Sequence, residues 1–288
     1  MKYALIKDNE GSWPISTQCE IYSVSRSGYY KWRNNGPSQR AKDNQILDEK
    51  ITEIYKGHKG RYGAPRITDE LRDQGEIINH KRVEKRMKHL NLKAKQAKKF
   101  KVTTDSIHSF PTAPNLLEQD FTATDINQKW TGDITYVWTK SGWLYLAVII
   151  DLFSRQVIGW SISKRINKDL VCDALTMAMW RRGFPEGVIV HTDRGSQYCS
   201  NKYQQLLKDN KLVCSMSGKG CCYDNATSES FFHTLKVECL YDYVFEDRDD
   251  AAKTIFEYIE IYYNRKRKHS TIGYKAPAQF EQLTKRAS

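Results

Sequence analysis

The chain has no long apolar run. Its longest, Trp143 to Ile150, is eight residues and stops at Asp151, far short of the roughly 20 that a membrane helix needs. The opening Met1-Lys-Tyr-Ala-Leu-Ile-Lys-Asp8 has no signal-peptide core. A soluble, intracellular protein without a membrane partner is therefore expected. The seven cysteines (Cys19, Cys172, Cys199, Cys214, Cys221, Cys222, Cys239) include no Cys-x-x-Cys pair and no Cys/His spacing suited to zinc. A structural zinc site is not supported, and free thiols are expected. Cys221-Cys222 lies close to Glu229, which leaves a ligand or redox role open for the pair. There is no heptad run, so there is no zipper, and no internal repeat.

What the chain does have is positive charge. Lys and Arg number 46 against 34 acids in 288 residues, a net charge of +12. About +7 falls in residues 1–125 and +5 in the rest, so the excess is shared along the chain. A polyanion is the natural partner, with nucleic acid ahead of an anionic membrane. Charge alone does not decide the matter, since many basic proteins bind nothing anionic specifically.

Residues 1–40 read as a short helical segment. Ile15, Cys19 and Tyr22 recur at helical spacing before Arg26-Ser-Gly-Tyr-Tyr-Lys-Trp, and Asn34-Asn-Gly-Pro-Ser38 reads as a break. Residues 41–100 read as a basic helix-turn-helix domain. Ile46, Leu47, Ile51 and Ile54-Tyr55 mark one helix, and Ile67 and Leu71 a second. Val83, Met87 and Leu90 mark a third, capped by Asn79. The outer face of that third helix carries Lys81, Arg82, Lys85, Arg86 and Lys88. Residues 81–101 hold ten basic side chains and one acid, more than solubility requires, so phosphate and groove contact is favoured over a merely solvated face.

Residues 101–125 read as a linker with a short helix near Leu116-Leu117. From Gln128 the texture becomes β. Trp130–Thr139, Trp143–Asp151 and Gln156–Ser163 read as three consecutive strands. A helix (Leu170–Arg182), a strand (Val188–His191), a helix from about Asn201, a short strand (Leu212–Met216), the helix bearing Glu229 and a last helix (Asp249–Tyr263) follow. That order predicts an α/β core over residues 126–288, a mixed five-stranded sheet flanked by helices.

Three acids stand out within this core. Asp133, in Trp130-Thr-Gly-Asp-Ile-Thr-Tyr, lies in or at the end of a strand, where a carboxylate is costly to bury without a metal or a donor. Asp193 follows Val188-Ile-Val-His, where a buried strand opens into a turn; a plain turn-forming Asp is the competing reading. Glu229 lies on a helix whose Phe231, Phe232, Leu235 and Cys239 make the core stripe, with Asn225, Glu229 and Lys236 aligned along its border. Three carboxylates at one point are hard oxygen ligands, which select Mg²⁺ or Mn²⁺. A pair of such ions about 3.5–4 Å apart suits hydrolysis and transesterification of phosphodiesters. Asp151, Asp173 and Glu238 compete for the role. Asp151 reads as a turn residue, Asp173 is mid-helix, and Glu238 points away from Glu229, so none makes a better trio.

With these residues in hand, the chain resembles the retroviral-integrase-like DDE transposases of bacterial insertion sequences. It looks most like the second-frame product (OrfB) of the insertion sequence three family. The resemblance rests on Gly60-Arg-Tyr-Gly-Ala-Pro-Arg-Ile-Thr-Asp-Glu-Leu71, Leu117-Glu-Gln-Asp-Phe121, Trp130–Tyr136, Leu144–Arg155, His191-Thr-Asp-Arg-Gly-Ser-Gln-Tyr198, Ser215–Ala226 and Glu229-Ser-Phe-Phe-His-Thr-Leu-Lys-Val-Glu238. It implies a ribonuclease-H-like integrase core with Asp133, Asp193 and Glu229 as catalytic metal ligands for two Mg²⁺ or Mn²⁺ ions. It also implies that Lys236 contacts DNA and that residues 41–97 form the helix-turn-helix module. Asn225, Arg194 and Gln197 are further expected DNA contacts, with Lys81, Arg82, Lys85 and Arg86 from the basic helix. The expected reaction is cleavage and strand transfer of transposon-end DNA by copy-out, paste-in. The expected partners are terminal inverted repeats, target DNA, further copies of the chain, and a first-frame (OrfA) product or fusion. The expected location is the bacterial cytoplasm, at the nucleoid. Two other classes stay open: a DNA-binding repressor or assembly factor, and a nuclease that cuts without joining.

Overall fold

A computed structural model describes residues 2–35, 38–96, 112–218 and 222–287. The chain divides into two compact units, residues 1–94 and 95–288. Among the described residues no helix is long and apolar enough to cross a membrane.

The first unit is helical. α1 (Lys2–Asp8), α2 (Ile15–Ile21) and α3 (Arg26–Asn35) close on Ile6, Cys19 and Tyr29; α1 had no sequence signal strong enough to be expected. α4 (Gln39–Gly57), α5 (Ala64–Asp73) and α6 (His80–His89) follow. Ser38 caps α4 by accepting from the N–H of Ala41 at 3.3 Å, and Asn79 caps α6 by accepting from Lys81 at 2.9 Å. Leu47, Ile51, Ile54, Ile67, Leu71, Val83 and Met87 are buried, and α4, α5 and α6 pack on one another. Ile46 departs from the expected stripe. One position round the helix from Leu47, it turns to solvent and is 55 % exposed.

The second unit is built on one sheet. β1 (Lys129–Thr139), β2 (Gly142–Asp151) and β3 (Val157–Ser163) form an antiparallel meander. α7 (Lys168–Arg182) then crosses to β4 (Ile189–Thr192), and α8 (Asn201–Asp209) to β5 (Val213–Met216), both parallel to β1. The spatial order is β3-β2-β1-β4-β5, which makes the mixed five-stranded sheet that was expected. α7 packs on the sheet through Leu170, Ala174, Leu175 and Ala178. Close approach is possible because Gly159 of β3 has no side chain. A Cβ there would collide with the Ala174 carbonyl and lie 2.7 Å from the Ala178 nitrogen.

α9 (Ala226–Leu235) runs on into a wider π-type turn, Lys236–Leu240. α10 (Arg248–Phe256) likewise continues as Glu257–Tyr263, and α11 (Pro277–Ala287), unforeseen from sequence, closes the chain. The helix expected near Leu116-Leu117 is absent. The Asn115 side chain accepts from the N–H groups of Leu117 and Glu118, both at 3.1 Å, and Glu118 and Gln119 take positive φ. A side chain that binds its own backbone in this way displaces the helix. The expected linker falls partly outside the described residues (101–111). Lys98, Lys99 and Lys101 of the basic run, Gly36 and Pro37 of the expected break, and Cys221 also lie outside them.

Candidate active site

The sheet register brings the first two acids together. β1 and β4 run parallel, pairing Thr131 with His191 and Gly132 with Thr192, where β4 ends. Carried one residue further, the same register sets Asp193 beside Asp133. Neighbouring strands lie about 4.8 Å apart, so two carboxylates meet where β4 leaves the sheet. Each has a local anchor. Asp133 Oδ1 accepts the N–H of Ile134 at 2.8 Å, and Asp193 Oδ1 that of Gly195 at 2.9 Å. Burial, then the Asp193 charge, push the Asp133 carboxyl well above the usual carboxylate range. The Ile134 N–H opposes this, Glu229 adds to it, and Lys236 draws it back down.

Glu229 is less closely placed. It is exposed on its solvent side, while the protein packed around its carboxyl raises its pKa. Its charge reaches Asp133. Yet among the described residues no three His, Cys, Asp or Glu side chains stand close enough to grip one ion together. The structure thus gathers Asp133 with Asp193 and holds Glu229 within electrostatic reach. The donor set suits a hard divalent cation: it is all carboxylate, and Asp133 is half-buried beside like charge.

The helix carrying Glu229 is pinned to β1 through Thr131 and Ser228, neither of which stood out in the sequence. Thr131 and Ser228, both buried, share a hydrogen bond at 2.9 Å, and Thr131 Oγ1 donates to Asn225 Oδ1 at 3.0 Å. Thr131 sits two residues from Asp133 on the same face of the strand, so the period-2 pattern could have found it. Asn225 is therefore buried strutwork and departs from the expected DNA contact. It also ends a 3-10 turn, while Lys236 opens the π-type turn, so the expected straight line of Asn225, Glu229 and Lys236 is broken at both ends. Lys236 still reaches the site, its Nζ lying 5.5 Å from the centre of the Tyr136 ring.

Other expected residues divide in the same way. Arg194 Nε donates to the Ser217 carbonyl at 2.6 Å, bracing the turn after β4 against the loop after β5; Gln197 is half-buried in that turn. Asp224 is buried and accepts from Asn115, Gln119 and the N–H of Gly218 at 3.0, 3.2 and 2.7 Å. No spacing could have foretold that set, since two of its donors lie over 100 residues away. Burial, with the Asp133 and Asp193 charges, raises the Tyr198 phenol strongly. On α6, Lys81, Arg82 and Lys85 face solvent. Arg86 does not: it forms a two-pronged pair with Asp48 of α4, its Nε 2.7 Å from Oδ1. It is a strut between helices, a correction to its expected role.

Asp151, Asp173 and Glu238 stand apart from the pair. Asp151 is buried and accepts from the N–H groups of Asn127, Phe153 and Ser154. Asp173 faces solvent. Glu238 is buried against Arg267.

Family models described as "Integrase core domain" match residues 123–222 and 229–284, and an "HTH-like domain" matches 42–100. The transposase InsF of insertion sequence IS3A from Escherichia coli K12 is 51 % identical over 283 residues, 98 % of each chain. A 31 kDa protein of insertion element IS600 from Shigella sonnei is 44 % identical, over 92 % of this chain and 97 % of that one. Among solved structures, the HTLV-2 integrase catalytic core domain in complex with magnesium is similar at 19 % identity and a TM-score of 0.38, covering 54 % of this chain and 95 % of that one. The chain therefore belongs to the insertion-sequence transposases of the IS3 type, enzymes with an integrase catalytic core behind a helix-turn-helix-like region.

Proposed function

We propose that this transposase cuts the ends of its element and joins them to other DNA through a site formed by Asp133, Asp193 and Glu229. The observation that carries the reading is the parallel β1–β4 register, which sets two acids side by side where a buried strand ends. Asp133, Asp193 and Glu229 would hold two Mg²⁺ or Mn²⁺ ions, which supply polarisation of the attacked phosphate and stabilisation of the leaving oxygen. Asp133 and Asp193 are pre-set by the sheet and by the N–H groups of Ile134 and Gly195. Glu229 stands on a helix fixed through Thr131 and Ser228, exposed and able to close on the pair when charge is neutralised there. Lys236 holds a phosphate next to Asp133. Two steps follow: water attacks a phosphodiester and frees a 3′-hydroxyl, then that hydroxyl attacks a second phosphodiester, with copy-out, paste-in as the route.

Lys81, Arg82 and Lys85, exposed on α6, are proposed as phosphate contacts of the terminal repeats. We further propose action as an oligomer on DNA in the bacterial cytoplasm, with a first-frame product as partner or fusion. The test is Glu229→Gln with defined element ends in Mg²⁺. Nicking and joining are expected to fall by several orders of magnitude while DNA binding holds. Joining at the wild-type rate would refute the assignment; cleavage without joined products would leave a nuclease.

A further inference from the structure

Exposed tryptophans side by side are uncommon on a folded surface, because each leaves a large apolar area in water. The β1–β2 hairpin carries such a group. Trp138 is 58 % exposed, Tyr136 45 % and Trp143 43 %. The antiparallel register pairs Trp138 with Trp143 and Tyr136 with Tyr145, so all these rings share one face of the ribbon. Trp143 meets Tyr136 edge-on at 5.1 Å and 89°, and Trp138 at 4.8 Å and 70°. The rings brace one another on a rigid strand pair and still present open π-surface.

We propose that Tyr136, Trp138 and Trp143 form a stacking shelf for unpaired bases of a DNA end whose phosphodiester lies at Asp133. This rests on the reading of Asp133 and Asp193 as the phosphodiester-processing pair. Two observations favour DNA over a protein partner. The shelf begins three residues, about 10 Å, along β1 from Asp133 and on the other face of the strand, beside the edge that β4 stops pairing after Gly132. Its cation is Lys236, whose Nζ lies over the Tyr136 ring while its charge also reaches Asp133. A backbone phosphate held by Lys236 would place the attached base over the aromatic rings. Farther out, Lys140 pairs with Glu246 at 2.6 Å, and Phe245 closes the hairpin tip through the N–H of Lys140. Stacking tolerates any base, because every base has a π-face.

The test uses the full chain in metal-free buffer and two fluorescent probes. One is a blunt duplex; the other is the same duplex with a few unpaired nucleotides, including 2-aminopurine, at one end. The open-ended probe is expected to bind about tenfold more tightly, with a change in 2-aminopurine emission. Trp138→Leu and Trp143→Leu should remove that preference and leave blunt-duplex affinity as it was, while Trp138→Tyr, which keeps a π-face, should retain it. Equal binding of the two probes with no 2-aminopurine response would overturn the shelf. So would full preference in Trp138→Leu, or a changed sedimentation state in the Leu variants with binding unaltered, which would make this face a contact between copies. Glu229→Gln should keep the preference, because stacking needs no chemistry. A shelf that binds in a chain that never cuts would count against the catalytic reading alone; cutting without end preference would count against the shelf alone.

Discussion

Glu229 and Glu238 lie on one continuous helical segment, yet the structure gives them opposite duties, and Glu238→Gln tests that division. Both Glu238 oxygens are engaged. Arg267 Nε lies 3.0 and 2.9 Å from them, Arg267 Nη2 lies 2.8 Å from Oε1, and Tyr258 donates to Oε2 at 2.9 Å. The two side chains are 7 % and 5 % exposed, so water offers neither charge a substitute. Burial by itself would lower the Arg267 pKa, but the Glu238 charge outweighs it and the guanidinium stays protonated. An amide at 238 therefore leaves a buried cation facing a neutral group. Removing one partner of a buried pair costs about 3–5 kcal/mol. In a unit of this size each kcal/mol moves the melting temperature by about 2–4 °C, so a fall of roughly 6–20 °C is expected in calorimetry. Glu229→Gln, at an exposed position, should stay within about 0.5 kcal/mol of wild type. Replacing the pair together, as Glu238→Leu with Arg267→Met, should recover most of the loss, because no unpaired charge remains. A Glu238→Gln protein melting with the wild type, or a Glu229→Gln protein falling as far, would refute the reasoning.

Three further outcomes follow from the same structure. Mg²⁺ should stabilise the wild-type chain by about 2.7 kcal/mol when present at a hundred times its dissociation constant, raising its melting temperature, and should leave Asp133→Asn unmoved; equal shifts in thermal melts would place the ion elsewhere. Lys85→Ala should weaken binding to duplexes of any sequence and flatten its salt dependence by about one unit of log–log slope. Arg86→Ala should instead destabilise the helical unit by about 1–3 kcal/mol, since Arg86 is tied to Asp48; titrations over a salt series, alongside melts, separate the two roles. Gly159→Ala should cost about 1–3 kcal/mol or more, because its methyl would strike the α7 backbone; a stability equal to wild type would show that α7 can move away.

Much of the fold was legible in the sequence because its signals are local. Alternation in residues 130–139 and the apolar run of 143–150 set two strands, Asn79 announces the helix it caps, and the order of strands and helices leaves few sheet topologies. The three acids were marked by their neighbours along the chain, since a carboxylate amid strand residues is costly without a purpose. Tertiary structure decided which side chains meet, because that depends on register and on direction of approach. Asp193 stands beside Asp133 through a parallel pairing across 60 positions. Arg86 turned inward because Asp48 happened to face it from α4, and Asn225 was taken into the interior by Thr131. The Tyr136–Trp138–Trp143 shelf likewise arises only when two strands align, for periodicity names the residues on a face and packing alone settles what covers them.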